Sequence, residues 1–73
     1  MKHNIITKEL KIDVGEAFWR IRREKKLKQI KVAEAVECGV SKLDDIEMGR
    51  QFDYNLFRKL AKYYGVNMKI VFE

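Results

Sequence analysis

Seventy-three residues make one small domain and exclude a two-domain enzyme or a long repeat array. With 47% hydrophobic and 37% charged residues and no proline, the composition is that of a folded, helix-rich chain, yet a domain this short buries only about 60% of the surface its unfolded chain exposes. Sixteen Lys and Arg against 11 Asp and Glu leave a net charge of +5, which suits a polyanionic partner such as nucleic acid or an anionic membrane surface.

Cys38 is the lone cysteine and His3 the lone histidine, so one chain can build neither an internal disulfide nor a Cys/His zinc site. A reducing cytoplasm is the expected setting. No apolar run approaches the 18 or so residues a bilayer span needs, and the N-terminus has no signal-like apolar stretch, so no membrane partner is expected. Acid–base chemistry would have to rest on carboxylates or lysines, and the expectation is a protein without enzymatic activity, metal or cofactor.

In chain order, Ile6, Leu10 and Ile12 share one parity and Thr7, Glu9 and Lys11 the other, which predicts an N-terminal arm or strand within residues 1–12. Asp13 with Glu16 reads as a capping box opening a helix near Val14 and running to about Lys26, with Val14, Ala17, Phe18 and Ile21 as its apolar stripe. A second helix over 29–36 turns Val32, Ala33 and Val36 inward. Glu37, Cys38 and Gly39 break it, and a third helix over 40–48 buries Leu43 and Ile46 before Gly49 closes it. Asp53 caps a fourth helix over 54–64, with Leu56, Phe57, Leu60, Ala61 and Tyr64 on one face and Gly65 at its end. From Val66 to Glu73 the period becomes two, which predicts a C-terminal strand over 66–73. Two strands alone are marginal in water, so this strand would pair with the N-terminal one, pack on the helices or pair across a dimer.

Charge is unevenly spread: Arg20, Arg22, Arg23, Lys25, Lys26, Lys28 and Lys31 stand against Glu24 alone in residues 20–31, whereas acids outnumber bases over 32–53. A basic run taken alone is most simply a solvated face. Here it borders two short apolar-faced helices joined by a tight turn with Gly39, the spacing of a helix-turn-helix, whose second helix can enter the major groove while flanking cations hold phosphates.

The residues VGEAFWRIRREKKLKQ at 14–29, AEAV at 33–36, LDDIEMGR at 43–50 and LAKYYGV at 60–66 resemble the lambda-repressor-like (Cro/phage repressor, XRE-type) helix-turn-helix DNA-binding family over about residues 14–66. The resemblance implies a mainly α fold: a compact four-helix domain over 13–65 followed by a dimerising strand at 66–73. It implies that Gln29, with Lys28 beside it, donates from its side chain or backbone to a DNA phosphate, that Arg50 contacts phosphate from the other side of the groove, and that Arg22 and Glu47 form an ion pair between the first and third helices. The base-reading positions it implies are Gly39, Val40, Ser41, Lys42 and Asp45. At these positions Val40 suits a thymine methyl, Asp45 a cytosine amino group, and Lys42 a guanine or a phosphate.

The sequence departs from that pattern in three places. Gly39 replaces a small hydroxyl residue, Glu37 stands where a turn glycine is common, and Asp44 and Asp45 put two acids on the reading helix, where they repel phosphates. Cys38 matches a small apolar position, so a packed, inert thiol is expected over a redox sensor. Trp19 reads as an exposed edge or a subunit contact, and Tyr54, Phe57, Tyr63 and Tyr64 as core and dimer surface over a base-stacking platform. The implied function is sequence-specific double-stranded DNA binding by a homodimeric transcriptional regulator, with repression as the default outcome, as in an antitoxin or a phage or mobile-element regulator. Its setting would be cytoplasmic, bacterial or phage-encoded, and nucleoid-associated when bound. The alternative is an adaptor on the same fold that binds a protein such as a cognate toxin, with weak DNA binding.

Overall fold

A computed structural model describes residues 8–68, which form four helices: α1 (Lys8–Glu24), α2 (Gln29–Ala35), α3 (Val40–Glu47) and α4 (Tyr54–Tyr64). Phe18 lies at the centre with none of its surface exposed, and Val32, Leu43, Ile46 and Leu60 close around it from the other three helices. The Phe57 ring meets it edge-on at a centroid distance of 5.8 Å, and Tyr64 tilts against it at 6.1 Å. Burying each such side chain contributes about 1.5–3 kcal/mol, and the helical faces predicted for residues 14–21, 29–36, 40–48 and 54–64 supply this core.

The start of α1 corrects two expectations. Asp13 is exposed within the helix, and Glu16 pairs with Arg20 at 2.6 Å, so they form no capping box at its N-terminus. The segment predicted as a strand is helical from Lys8 onward. Leu10 precedes Val14 by one turn and packs on the core, so the stripe of α1 continues upstream, while Ile12 lies against Gly49 at the end of α3. Residues 1–7 of the predicted arm lie outside the described residues.

All four helices end in the same way. The residue after the last turn takes a left-handed conformation, at Lys26 (φ 57°), Glu37 (φ 58°), Gly49 (φ 73°) and Gly65 (φ 70°). In each case the next N–H donates back to a carbonyl five residues earlier: Leu27 to Arg22, Cys38 to Ala33, Arg50 to Asp45 and Val66 to Ala61, at 2.9–3.1 Å. Glu37 thus does a glycine's work in the α2–α3 turn. At the start of α4, Asp53 is the N-cap, its carboxylate accepting from the Leu56 N–H at 3.0 Å.

No strand occurs among the described residues. Residues 66–68 leave α4 as irregular chain, with Val66 and Met68 packed on the helical core, so the period-two pattern there seals the end of the bundle. The remainder of the predicted strand, 69–73, lies outside the described residues.

Candidate nucleic-acid interface

α3 packs on α1 and α2 through Leu43, Ile46 and Glu47 and leaves Val40, Ser41 and Lys42 exposed at its N-terminal end. Gly39, just before it, is exposed with extended backbone, and a Cβ there would meet nothing within 4 Å. The backbone therefore does not demand glycine at position 39. Gly39, Val40, Ser41 and Lys42 form one outward surface.

At the other end of α3, Glu47 forms with Arg22 the ion pair that the resemblance implies. Arg22 Nε donates to Glu47 Oε2 at 2.7 Å and Nη2 to Oε1 at 3.1 Å, while Nη1 donates to the Leu27 carbonyl at 2.9 Å. The two side chains are 12% and 1% exposed, so this is a charge pair removed from water, and the Glu47 carboxylate holds the guanidinium proton still more firmly than usual.

Gln29 is half-buried and its side-chain N–H groups are engaged within the protein. Its Nε2 donates to Asp44 Oδ1 and to Glu47 Oε1, both at 3.0 Å, tying the first turn of α2 to the last turns of α3. Arg50 reaches the same aspartate through its other oxygen: its Nη2 donates to Asp44 Oδ2 and its Nε to Asp45 Oδ1 at 2.9 Å. Gln29, Arg50 and Asp45 are thus brought together around Asp44. The Gln29 and Arg50 hydrogen bonds hold the Asp44 carboxyl below its ordinary range, and Asp45 and then Asp44 raise the Arg50 guanidinium.

Lys42 is also engaged. Its Nζ donates to Asp53 Oδ2 at 2.9 Å, which raises the ammonium and, with the Leu56 N–H, lowers the Asp53 carboxyl. In contrast, Lys25, Lys26, Lys28 and Lys31 are exposed and enter no ion pair among the described residues. Arg23 lies over the Trp19 ring at 4.9 Å from its centroid, so part of that exposed indole is covered by a cation.

The resemblance implies phosphate contacts from Gln29, through its side chain or backbone, from Lys28 beside it and from Arg50; Lys28 has no ion pair among the described residues, whereas the Gln29 and Arg50 side chains are held by carboxylates. The pairing of Asp44 and Asp45 with Arg50, five and six residues further on, depends on how the chain reverses at Gly49 and was not legible in the sequence. Cys38 is half-buried against the core, and desolvation raises its thiol pKa despite Lys59 and Lys42, as befits a packed residue. Among the described residues no cluster of three His, Cys, Asp or Glu side chains is arranged to hold a metal ion, and no helix is long and apolar enough to cross a membrane. No protein-family model matches the chain, and neither a curated protein nor a solved structure does.

Proposed function

We propose that this chain is a sequence-specific double-stranded DNA-binding module that inserts the exposed edge of α3 into the major groove and acts as a homodimeric transcriptional regulator of the lambda-repressor-like type. One observation carries the reading: Val40, Ser41 and Lys42 project from a short helix with a buried inner face, close in sequence to the exposed Lys25, Lys26, Lys28 and Lys31, which enter no ion pair among the described residues. The lysines supply a sequence-independent grip on phosphates, and the side chains of α3 supply contacts to base edges. A dimer would present two such helices about 34 Å apart to a two-fold symmetric site.

The test is duplex binding across a salt series, with bound genomic fragments sequenced to find the site. Affinity should fall steeply with salt, and replacing Lys28 and Lys31 together with Gln should flatten the slope by about two. A folded protein that ignores every duplex at low salt would instead fit the adaptor reading. That second reading draws on the engagement of Arg50, Gln29 and Lys42 by the protein's own acids.

A further inference from the structure

Resting on the DNA-binding reading, we propose that Asp44 and Asp45 determine specificity by holding Arg50 away from phosphate on non-specific duplex. Two of the guanidinium nitrogens point at these carboxylates, Nη2 at Asp44 and Nε at Asp45. A phosphate approaching Arg50 must displace both acids, and until it does it faces two carboxylates against one guanidinium. The cluster repels the DNA backbone where a lone Arg50 would attract it.

The hold is reversible because it is wet. The side chains of Arg50, Asp44 and Asp45 are 51%, 42% and 35% exposed, and ion pairs this open to solvent contribute little to stability. Breaking them therefore costs little when something else takes the carboxylates, and base-edge amino groups in the major groove have the required chemistry: cytosine N4 donates well to an aspartate. At such a site Arg50 is released toward phosphate, while on mixed sequence the acids keep it. The adjacent Gln29 amide, donating to Asp44 and Glu47, is restrained by the same carboxylate.

The experiment is a double-mutant cycle of wild type, Asp44→Asn/Asp45→Asn, Arg50→Gln and the triple variant, measured on a mixed-sequence duplex and on the selected site over a salt series. Asparagine keeps the size and one acceptor oxygen of each side chain while removing its charge, and circular dichroism verifies that each variant is folded. The paired Asn variant should bind mixed-sequence duplex about tenfold tighter, with a salt slope steeper by about one, and should gain less on the selected site. Arg50→Gln should cost about fivefold more in the Asn background than in wild type. If the Asn gain survives Arg50→Gln undiminished, it is a general charge effect and the proposal fails while the DNA-binding reading stands. The same holds if the paired Asn variant gains nothing, or gains equally on both duplexes. If none of the four proteins binds any duplex at low salt, the DNA-binding reading fails and this inference with it.

Discussion

Gly15 of α1 lies flush against the backbone carbonyl of Ile46 in α3. A Cβ at position 15 would overlap that oxygen and stand 2.7 Å from the Glu47 carbonyl oxygen. Glycine in mid-helix ordinarily costs about 1 kcal/mol relative to alanine, so in an isolated α1 Gly15→Ala would be favourable. In the folded protein it must push α1 off α3, and overpacking of this kind costs about 1–3 kcal/mol. The expected outcome is a lower urea midpoint with an unchanged slope; a higher midpoint would contradict the close approach.

Arg22 and Glu47 should behave as a unit. Glu47→Ala leaves a largely buried guanidinium without its counter-charge and Arg22→Met leaves a buried carboxylate, each costing about 3–5 kcal/mol. Such losses approach the whole stability of a small domain. Arg22→Met with Glu47→Leu should regain most of the loss, since no uncompensated charge remains. Thermal denaturation of the three variants decides the matter, and additive losses would count against the pair.

Tyr64 is buried, and its hydroxyl has no hydrogen-bond partner among the described residues. Desolvation, reinforced by the Glu47 charge, pushes the phenol up to about 12. The folded state therefore holds this proton more tightly than the unfolded chain. Stability is therefore insensitive to this group below about pH 10 and falls as pH rises toward 12, by on the order of 3 kcal/mol in all. Tyr64→Phe removes the unpaired hydroxyl, so it should raise stability near neutrality by about 1 kcal/mol and remove much of the alkaline decline. Urea midpoints for both proteins at about pH 8 and about pH 11 measure both effects.

Asp53 serves two partners through separate oxygens, the Leu56 N–H and Lys42 Nζ. Asp53→Asn keeps the cap and loses the charge pair, whereas Asp53→Ala loses both and should be about 1 kcal/mol less stable than the Asn variant. Because Lys42 and the Leu56 N–H lower the Asp53 carboxyl, its stabilisation is fully present above an unfolded aspartate's pKa of about 4 and is lost as pH falls below that. Acid titration followed by circular dichroism should show a weaker dependence in the Asn variant.

Much of the fold was legible because apolar periodicity and end signals agreed. Asp53 and Gly65 bracket α4 as the sequence suggests, and the breaks around Gly39 and Gly49 frame α3. The beginning of α1 was not legible, since Asp13 and Glu16 mimic a capping box and Leu10 and Ile12 fit an alternating pattern as well as a helical one. Tertiary contact decides there: Ile12 meets Gly49, and Leu10 joins the core. At the candidate interface the exposed edge of α3 could be read from periodicity, but the partners of Arg50, Gln29 and Lys42 could not. Those pairings depend on how the chain reverses after α3 and on where Asp53 falls beside Lys42, which spacing alone does not fix.

The two charged residues in left-handed backbone flank the same helix. Lys26 precedes α2 and Glu37 follows it, whereas α3 and α4 close on glycine. A side chain in that conformation costs roughly 1–2 kcal/mol, so Glu37→Gly should stabilise the protein by about 1 kcal/mol, checked by its denaturation midpoint. At seven residues, α2 is also the shortest helix. Its amide protons should therefore exchange with solvent sooner than those of the longer α1 and α4. The half of the candidate interface that lies on α2 would then be the half that adjusts when a partner arrives.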